Sequence, residues 1–457
     1  MAESVETVES PASGWMERKF RIAERGTTPG GEIRAGITTF LTMAYIIFVN
    51  PAILSNAIDV EGVFPQLLTV TCLAAAIGTL IMGLWANLPF ALAPGMGLNA
   101  YFAFTVVGAL GFPWQTALGA VFISGILFAL ISVTGLRQWI LEAIPLSLKY
   151  AITAGIGAFL AIIGFAGAGL IQGSPDTFVT RGEWDQPGLW LAMGGVLVAG
   201  ALLALRVKGA LLIAILGVTV VAMITQAPVY PGEQAFGGFG DGIFGFVWPS
   251  DLIGAMDIGA ALQAGVLAVV FTFLFVDFFD TAGTLIGLSD KAGYMDEKGN
   301  IRAPRAAFTA DGLATTVGAA LGTSSTTTYI ESAAGVEEGA KTGLTSVVVA
   351  GMFLLAMLFA PIAGAIPEAA TAPILIVIGA MMMTSVTKID WSDYRVSIPA
   401  FLAVVGMPFT YSITDGISLG IISHTVIMAV TGKARDVHWI MYVLSILLIW
   451  RFFVVGG

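Results

Sequence analysis

The sequence has few charged residues for its length. Of its 457 residues only 11% are Asp, Glu, Lys or Arg, whereas 57% are hydrophobic and the mean hydropathy is +0.90. Soluble globular proteins carry about 25% charged residues, so this chain cannot build an ordinary water-facing surface. The shortage of charge excludes a soluble enzyme, a disordered protein and a nucleic-acid-binding protein. It indicates a polytopic membrane protein embedded in a lipid bilayer.

Cysteine and histidine are almost absent. Cys72 is the single cysteine and lies within an apolar run, and the two histidines are His424 and His438. A lone thiol forms no internal disulfide and no thiolate metal site, and two histidines do not supply a zinc or haem centre. The sequence therefore predicts neither a metal nor a cofactor.

The N-terminal residues do not have the pattern of a signal peptide. Residues 1–13 are acidic, small and polar, and they lack a basic start followed by an apolar core. Five basic residues follow between positions 15 and 34, namely Arg18, Lys19, Arg21, Arg25 and Arg34. We interpret residues 1–33 as a cytoplasmic N-terminal tail whose first part is disordered and whose basic part lies at the membrane surface.

Long apolar runs predict the membrane-spanning segments, because about 20 apolar residues cross a bilayer core about 30 Å thick. Seven runs precede a polar, Gly-rich stretch, seven follow it, and one more ends the chain. The runs cover 35–55, 66–85, 90–107, 114–135, 148–170, 188–205 and 209–226, then 260–288, 305–321, 324–338, 342–363, 372–387, 396–411 and 414–431, and finally 438–455. The flanks of the last run do not decide whether it crosses the membrane.

The loop charges predict the orientation of these segments. If each of the fourteen runs crosses once, the basic loops fall on the side of the N-terminal tail and the acidic loops on the other side, with Arg181 as the exception. By the positive-inside rule the N-terminus is cytoplasmic, and we expect a multi-pass protein of the cell (inner) membrane. Seven segments per half force the second half to insert upside down, so an all-α, 7+7 inverted repeat is predicted. Its parts are the tail (1–33), a first repeat (34–226), an extracellular linker (227–258), a second repeat (259–432) and a C-terminal hydrophobic segment (433–457).

The third run of each half is unsuited to a plain lipid-facing helix. Pro94, Gly95 and Gly97 interrupt the first, and residues 323–328 of the second are all Ser or Thr. Broken backbone is tolerated at membrane depth only where it is buried or lines a wet cavity. Two such segments at equivalent positions predict short extended strands, half-helices and a transport site between them. The alternative is that the small residues only allow close helix packing.

Acidic residues occur where lipid would disfavour them. Asp277 and Asp280 lie one turn apart on one helix face among phenylalanines, and Glu331 follows the run of hydroxyl residues. A carboxylate at the bilayer centre costs about 2.5–3.5 kcal/mol on insertion scales and is normally functional. Such acids are candidates to bind a proton. A structural, hydrogen-bonded carboxylate is the alternative, which is equally weighted for Asp277 and favoured for Asp311.

Four stretches together resemble a known family. They are residues 38–51, 93–102, 275–285 and 322–335. The sequence resembles the nucleobase–cation symporter-2 superfamily, also called nucleobase–ascorbate transporters, and within it the AzgA-like adenine–guanine–hypoxanthine permeases. The resemblance extends from about residue 35 to residue 435. It implies a core domain of segments 1–4 and 8–11, a gate domain of segments 5–7 and 12–14, proton-coupled uptake of purines, and a homodimer.

The resemblance also implies a set of site residues. Residues 280–284 match its acid-x-x-Gly-polar motif and residues 331–335 its acidic motif ending in Gly, which makes Asp280 and Glu331 the substrate carboxylates. Ser332 stands where other branches have Asn, and Thr284 where they have His or Asp, so uracil and ascorbate are disfavoured and purines remain. The implied substrate-binding residues are Glu331, Asp280, Asn99, Gly97, Thr284, Tyr329 and Ser332, and the implied proton-coupling residues are Asp280, Glu331 and Asp277.

Several alternatives stay open at this point. A transporter of the same fold could carry another nucleobase or a small anion, although residues 90–101 and 322–335 contain no Lys or Arg. An uncoupled facilitator or channel would not need paired acids. A membrane enzyme would need a nucleophile–base pair or a metal set, and neither is recognisable. The sequence does not show which purine is preferred or whether the coupling ion is H⁺ or Na⁺.

Overall fold

The computed structural model describes residues 14–134, 143–230, 235–238, 242–295 and 301–455. The predicted disordered part of the tail, residues 1–13, lies outside these ranges. The helices before the linker are α1 (Trp15–Phe20), α2 (Pro29–Met43), α3 (Ile46–Leu54), α4 (Val63–Ile81), α5 (Met96–Ala100), α6 (Trp114–Thr134), α7 (Leu146–Gly167), α8 (Pro187–Ala204) and α9 (Ala210–Thr225). Those after it are α10 (Ile258–Ala261), α11 (Ala264–Lys291), α12 (Pro304–Leu321), α13 (Ser332–Glu337), α14 (Gly343–Ala356), α15 (Glu368–Met383), α16 (Tyr394–Thr410), α17 (Ile413–Met428) and α18 (Trp439–Val455). The strands are β1 (Leu92–Pro94), β2 (Ile171–Ser174), β3 (Phe178–Arg181) and β4 (Thr326–Thr328).

Each apolar run of the sequence coincides with a helix or with a strand that leads into a helix. Within the described ranges, eight helices are long and apolar enough to cross a membrane, and five shorter apolar helices occupy further runs. The prediction of a mostly helical polytopic membrane protein is therefore confirmed. The number of fourteen crossings, the inverted repeat and the boundaries of the five predicted parts stay predictions.

Local sequence explains where several helices begin and how closely they pack. Thr28 caps α2 by accepting a hydrogen bond from Gly31 N at 3.1 Å, and Pro29 occupies the first helical position. Thr342 caps α14 in the same way through Leu344 N. A Cβ at Gly343 would overlap the carbonyl oxygen of Gly83. Glycine at position 343 therefore allows backbone contact between α14 and the π-helical turn that extends α4.

The two broken segments meet as a short antiparallel sheet. Strands β1 and β4 pair with Leu92 opposite Thr328 and Pro94 opposite Thr326. The pairing continues on both sides, since Gly95 N donates to Ser325 O at 2.8 Å and Tyr329 N donates to Ala91 O at 2.9 Å. The extended strands expected in these segments are present. A second two-stranded sheet, the β2–β3 hairpin, joins α7 to α8 and was not predicted from the sequence.

The helices pack in two groups. One group contains α2–α6 with α11–α14, and the other contains α7–α9 with α15–α17. Helix α18 packs against α17, where the guanidinium of Arg451 donates to Asp415 Oδ1 at 2.8 Å. The assignment of these helices to a core domain and a gate domain stays a prediction. Their motion as separate domains remains a prediction.

A polar junction marks one end of the bundle, which we call the N face and define by Phe20, Glu32, Thr342 and Glu338. The buried Glu32 carboxylate accepts hydrogen bonds from two backbone N–H groups, at Lys341 and Thr342, and from two threonine hydroxyls. Nearby, Glu338 pairs with Arg34 of α2 and with Lys208 from the turn between α8 and α9. The N face thus links the two groups of helices by charge.

Candidate functional site

Glu331 lies where strand β4 turns into helix α13. It is the N-terminal capping residue of that helix, and its side chain is only partly buried. The hydroxyl of the fully buried Tyr45 donates to Glu331 Oε1 at 2.5 Å. Tyr45 sits in the turn between α2 and α3, so the first span of the chain holds this carboxylate in place. A short bond to a phenol restricts the carboxylate, which can still accept further hydrogen bonds from a ligand.

Asp280 faces the same region from helix α11. Its carboxylate is partly buried and lies close enough to Glu331 for the two negative charges to repel each other. Within the described ranges, no side chain or backbone group donates a hydrogen bond to Asp280. Thr284, also partly buried, lies one turn further along α11 on the same helix face. The structure therefore brings Asp280 and Glu331 together, with Thr284 beside them.

Asp277 has different surroundings although it is only one turn away. It is 1% exposed, and its Oδ2 lies 2.8 Å from Thr315 Oγ1 of α12. Among the described residues, its Oδ1 has no hydrogen-bond partner. Thr315 Oγ1 also lies 3.0 Å from the carbonyl oxygen of Thr326 in β4. A hydroxyl has one hydrogen, so a proton on Asp277 would let it donate to Thr315 while Thr315 donates to Thr326.

Asp311 connects α12 to both α11 and β4. Its Oδ2 accepts from Thr281 Oγ1 at 2.6 Å, and its Oδ1 accepts from Thr328 N at 2.8 Å and Thr328 Oγ1 at 2.7 Å. Three donors around one fully buried carboxylate are the surroundings that an ionised, structural acid needs. This agrees with the structural role favoured for Asp311 from the sequence.

Asn99 is bonded within a polar network between helices. Its Nδ2 donates to Asn50 Oδ1 at 2.6 Å, and its Oδ1 accepts from the hydroxyl of Ser324. Asn50 Nδ2 in turn donates to Thr71 at 2.7 Å and to Thr323 at 3.0 Å. The network joins α3, α4 and α5 to the residues that lead into β4. It occupies part of the Asn99 amide, and the role of Asn99 as a substrate ligand stays a prediction.

The other predicted residues border the crossing of the broken segments. Tyr329 OH donates to Pro94 O at 2.5 Å, and Ser332 Oγ accepts from Ala91 N at 2.9 Å. Both side chains therefore bond one broken segment to the other. Gly97 faces α7, where a Cβ would lie 2.7 Å from Ile156 Cγ2. Gly97 thus marks a close approach between the two groups of helices.

Tyr45 and the threonines at positions 281 and 315 were not among the residues predicted for the site. Tyr45 belongs to residues 38–51, where threonines and an aromatic hydroxyl interrupt an apolar run. A polar cluster of that kind is a recognisable signal. Thr281 and Thr315 gave no comparable signal, because isolated threonines inside spanning helices commonly bond to their own backbone.

The model of the Permease family, Xan_ur_permease, matches residues 30–443. This chain belongs to the nucleobase–ascorbate transporter family. The resemblance noted in the sequence is thereby confirmed, and the protein is a permease rather than an enzyme.

Two relatives of this permease carry informative names. The "Guanine/hypoxanthine permease PbuO" of Bacillus subtilis is 44% identical over 95% of this chain and 100% of its own length. The "Adenine permease AdeP" of Escherichia coli is 41% identical over 97% of each chain. Among solved structures, the transmembrane domain of a cyanobacterial bicarbonate transporter, BicA, superposes with a TM-score of 0.62 at 13% identity. That alignment covers 86% of this chain and 97% of the other, and it shows a shared fold.

Proposed function

We propose that this permease takes up purine nucleobases (hypoxanthine, guanine, adenine or a subset of them) by alternating access and couples their uptake to protons. The pair of carboxylates at the crossed strands, Glu331 and Asp280, is the observation that carries the proposal. The names of the adenine and guanine/hypoxanthine permeases among its relatives support the substrate class.

The chemistry of a purine edge suits this pair of acids. Purines present ring and exocyclic N–H donors in one plane, and a carboxylate accepts two such donors side by side. Asp280 has no donor of its own in the described structure, and the Glu331 carboxylate is held in place by Tyr45. Helix α5 and the π-helical residues after it form one helix, Met96–Ala109. Its N-terminal N–H groups, near Gly97, would donate to a carbonyl such as that of hypoxanthine or guanine.

Proton coupling would follow from the same arrangement. Two like charges that share a small site repel each other, and a proton on one of them removes that repulsion. Asp280 and Glu331 are the first candidates to carry the proton. Asp277 is the third, because its bond to Thr315 is compatible with a protonated carboxyl group.

The membrane arrangement belongs to the same proposal. Fourteen crossings in a 7+7 inverted repeat, core and gate domains, a cytoplasmic N-terminus in the cell membrane and a homodimer together complete an alternating-access transporter. A small-anion substrate is less favoured, since residues 90–101 and 322–335 supply two ends of broken helices but no Lys or Arg.

Uptake into proteoliposomes tests the proposal. Radiolabelled hypoxanthine is offered with and without competing adenine or guanine, under imposed pH, voltage and sodium gradients. We expect accumulation that rises as external pH falls from about 8 to about 6, the range into which carboxyl groups shifted by burial fall. A protonophore should reduce accumulation to equilibration. Glu331→Gln should abolish purine binding, whereas Glu337→Gln on the same helix, whose side chain is 65% exposed, should not.

Three results would contradict parts of the proposal. Accumulation that follows sodium and ignores pH would replace protons by sodium. Equilibration under every gradient would make the protein a facilitator. Unchanged purine affinity in purified, folded Glu331→Gln protein would remove Glu331 from the site.

A further inference from the structure

A cavity of about 260 Å³ lies apart from the paired carboxylates. It opens between the ends of α3, α7 and α15, near Asn56, Gly167 and Glu368, and we call this end of the bundle the far face. Helices α2–α3 and α7 run away from the N face, and α15 starts at the far face and returns. In the proposed orientation the far face is extracellular. None of the proposed substrate or coupling residues lines the cavity.

The cavity lies between the two groups of helices. Asn56 follows α3 of one group, whereas Ala166 and Glu368 belong to α7 and α15 of the other. Along α7, Ala166 is ten residues beyond Ile156, which Gly97 approaches closely. At about 1.5 Å per residue, this places the cavity mouth about 15 Å towards the far face from that approach. A substrate moving from the far face to Glu331 and Asp280 would therefore meet this cavity first.

One wall of the cavity is aromatic and firmly held. The Tyr411 ring packs edge-to-face with Phe104 at 6.1 Å and with Phe159 at 5.5 Å between ring centroids. Tyr411 connects α16 to α17 with φ at +52°, a left-handed conformation that glycine adopts more readily at a helix end. A bulky aromatic residue at such a position costs conformational energy.

A carboxylate also lines this cavity. Glu368 is the first residue of α15, and its Oε1 reaches over the end of α7, 2.8 Å from where a Cβ of Gly167 would lie. In the described part of the chain, no group donates a hydrogen bond to this carboxylate. An aromatic ring and an exposed carboxylate that line one small cavity suit a flat ligand with N–H donors.

We propose that this cavity is a second, outer binding site for a purine base, where the base lies against Tyr411 and donates ring N–H groups to Glu368. The inference rests on the proposed function, because it names a purine as the ligand. The volume is just below the usual range of small-molecule sites, about 300–1,000 Å³, and suits a ligand as small as a nucleobase. The base would be held there before the two groups of helices rearrange and admit it to the inner carboxylates.

Cysteine protection in the full-length protein tests the outer site. Cys72 is fully buried, so the natural chain supplies a background that a membrane-impermeant maleimide should not label. Ala166→Cys places an accessible thiol in the cavity wall, and Ser250→Cys places one on the exposed linker as the control. The probes are hypoxanthine, guanine and adenine, added to right-side-out vesicles before the maleimide.

We expect a purine to protect the thiol at position 166 but not the thiol at position 250. Protection should persist with Glu331→Gln, which disables the inner site. It should need about tenfold more purine with Glu368→Gln, because a hydrogen bond to a charged acceptor is lost. Tyr411→Leu should weaken protection in the same direction, which keeps the test available if one variant fails to fold.

The outcomes separate this inference from the proposed function. Loss of protection with Glu331→Gln would overturn the outer site, since protection would then report only occupancy of the inner site. So would protection that is unchanged in both Glu368→Gln and Tyr411→Leu, or labelling only from the opposite side of the membrane. If the natural protein neither takes up nor binds a purine, the proposed function itself fails.

Discussion

Replacement of Asp311 by alanine should destabilise this permease strongly. The change removes the acceptor for three donors, namely Thr281 Oγ1 and both the backbone N–H and the hydroxyl of Thr328. Thr281 keeps a partner, because its Oγ1 lies 2.9 Å from Thr327 Oγ1. Two buried donors on Thr328 are then left without an acceptor. At about 1–3 kcal/mol for each, the free energy of unfolding should fall by roughly 2–6 kcal/mol.

Asparagine at the same position should cost less than alanine. Its amide oxygen can still accept from Thr328, so only the bond from Thr281 is lost. The expected loss is about 1–2 kcal/mol, comparable with that of Thr281→Val, which removes the same bond together with the contact to Thr327 Oγ1. Asp290→Asn is the matched control on α11, since Asp290 is exposed, and it should change stability by less than about 0.5 kcal/mol.

Thermal unfolding in detergent, followed by tryptophan fluorescence and by size-exclusion chromatography after heating, measures the order of these effects. Asp290→Asn should have the highest melting temperature of these variants. Asp311→Asn and Thr281→Val should follow, and Asp311→Ala should have the lowest. Uptake per folded molecule should remain measurable in Asp311→Asn. If Asp311→Ala melts like the natural protein while transport is abolished, Asp311 belongs to the transport site and the structural reasoning is wrong.

Three further predictions concern transport and the N face. Asp280→Asn should abolish purine uptake whereas Asp277→Asn should reduce it less, and proteoliposome uptake with the opposite ranking would show that the substrate carboxylate is Asp277. Gly97→Ala should slow transport because its Cβ would lie 2.7 Å from the Ile156 side chain. Ile156→Ala in the same molecule should restore the rate. A rate that stays low in the double variant would refute the steric explanation. Glu32→Gln should lower the free energy of unfolding by about 1–3 kcal/mol, and with it the melting temperature, because it disturbs a buried hydrogen-bond acceptor. The preference among purines should stay the same, since Glu32 lies far from the site. An altered preference in competition assays would contradict this.

The positions of the spanning segments could be predicted because hydrophobic length and backbone preference are local properties. A run such as residues 148–170 needs no tertiary information to be recognised, and it forms α7, Leu146–Gly167. The breaks were equally local, since Pro94 and six consecutive Ser or Thr residues disfavour helix wherever the chain places them. The motifs around Asp280 and Glu331 identified the family for the same reason.

The partners of the site residues could not be predicted in this way. Tyr45 and Glu331 are 286 residues apart and meet only because the first span packs beside the tenth. The family resemblance placed Asn99 with the substrate, but nothing in the sequence indicated the bonds that the amide makes to Asn50 and Ser324. Such bonds depend on which helices become neighbours and in which register the two strands pair.

Asp277 and Asp280 illustrate the difference between what the sequence determines and what only the tertiary structure determines. The sequence alone determined that two acids lie one turn apart on one membrane helix, because that follows from helical periodicity. Only the tertiary structure decided that Asp277 is buried against Thr315 whereas Asp280 faces Glu331, with no donor to it among the described residues. The physical reason is that the role of a carboxylate depends on the hydrogen-bond donors and charges around it. For these two acids the surrounding groups come from α12, β4 and α13. Packing brings those elements to α11.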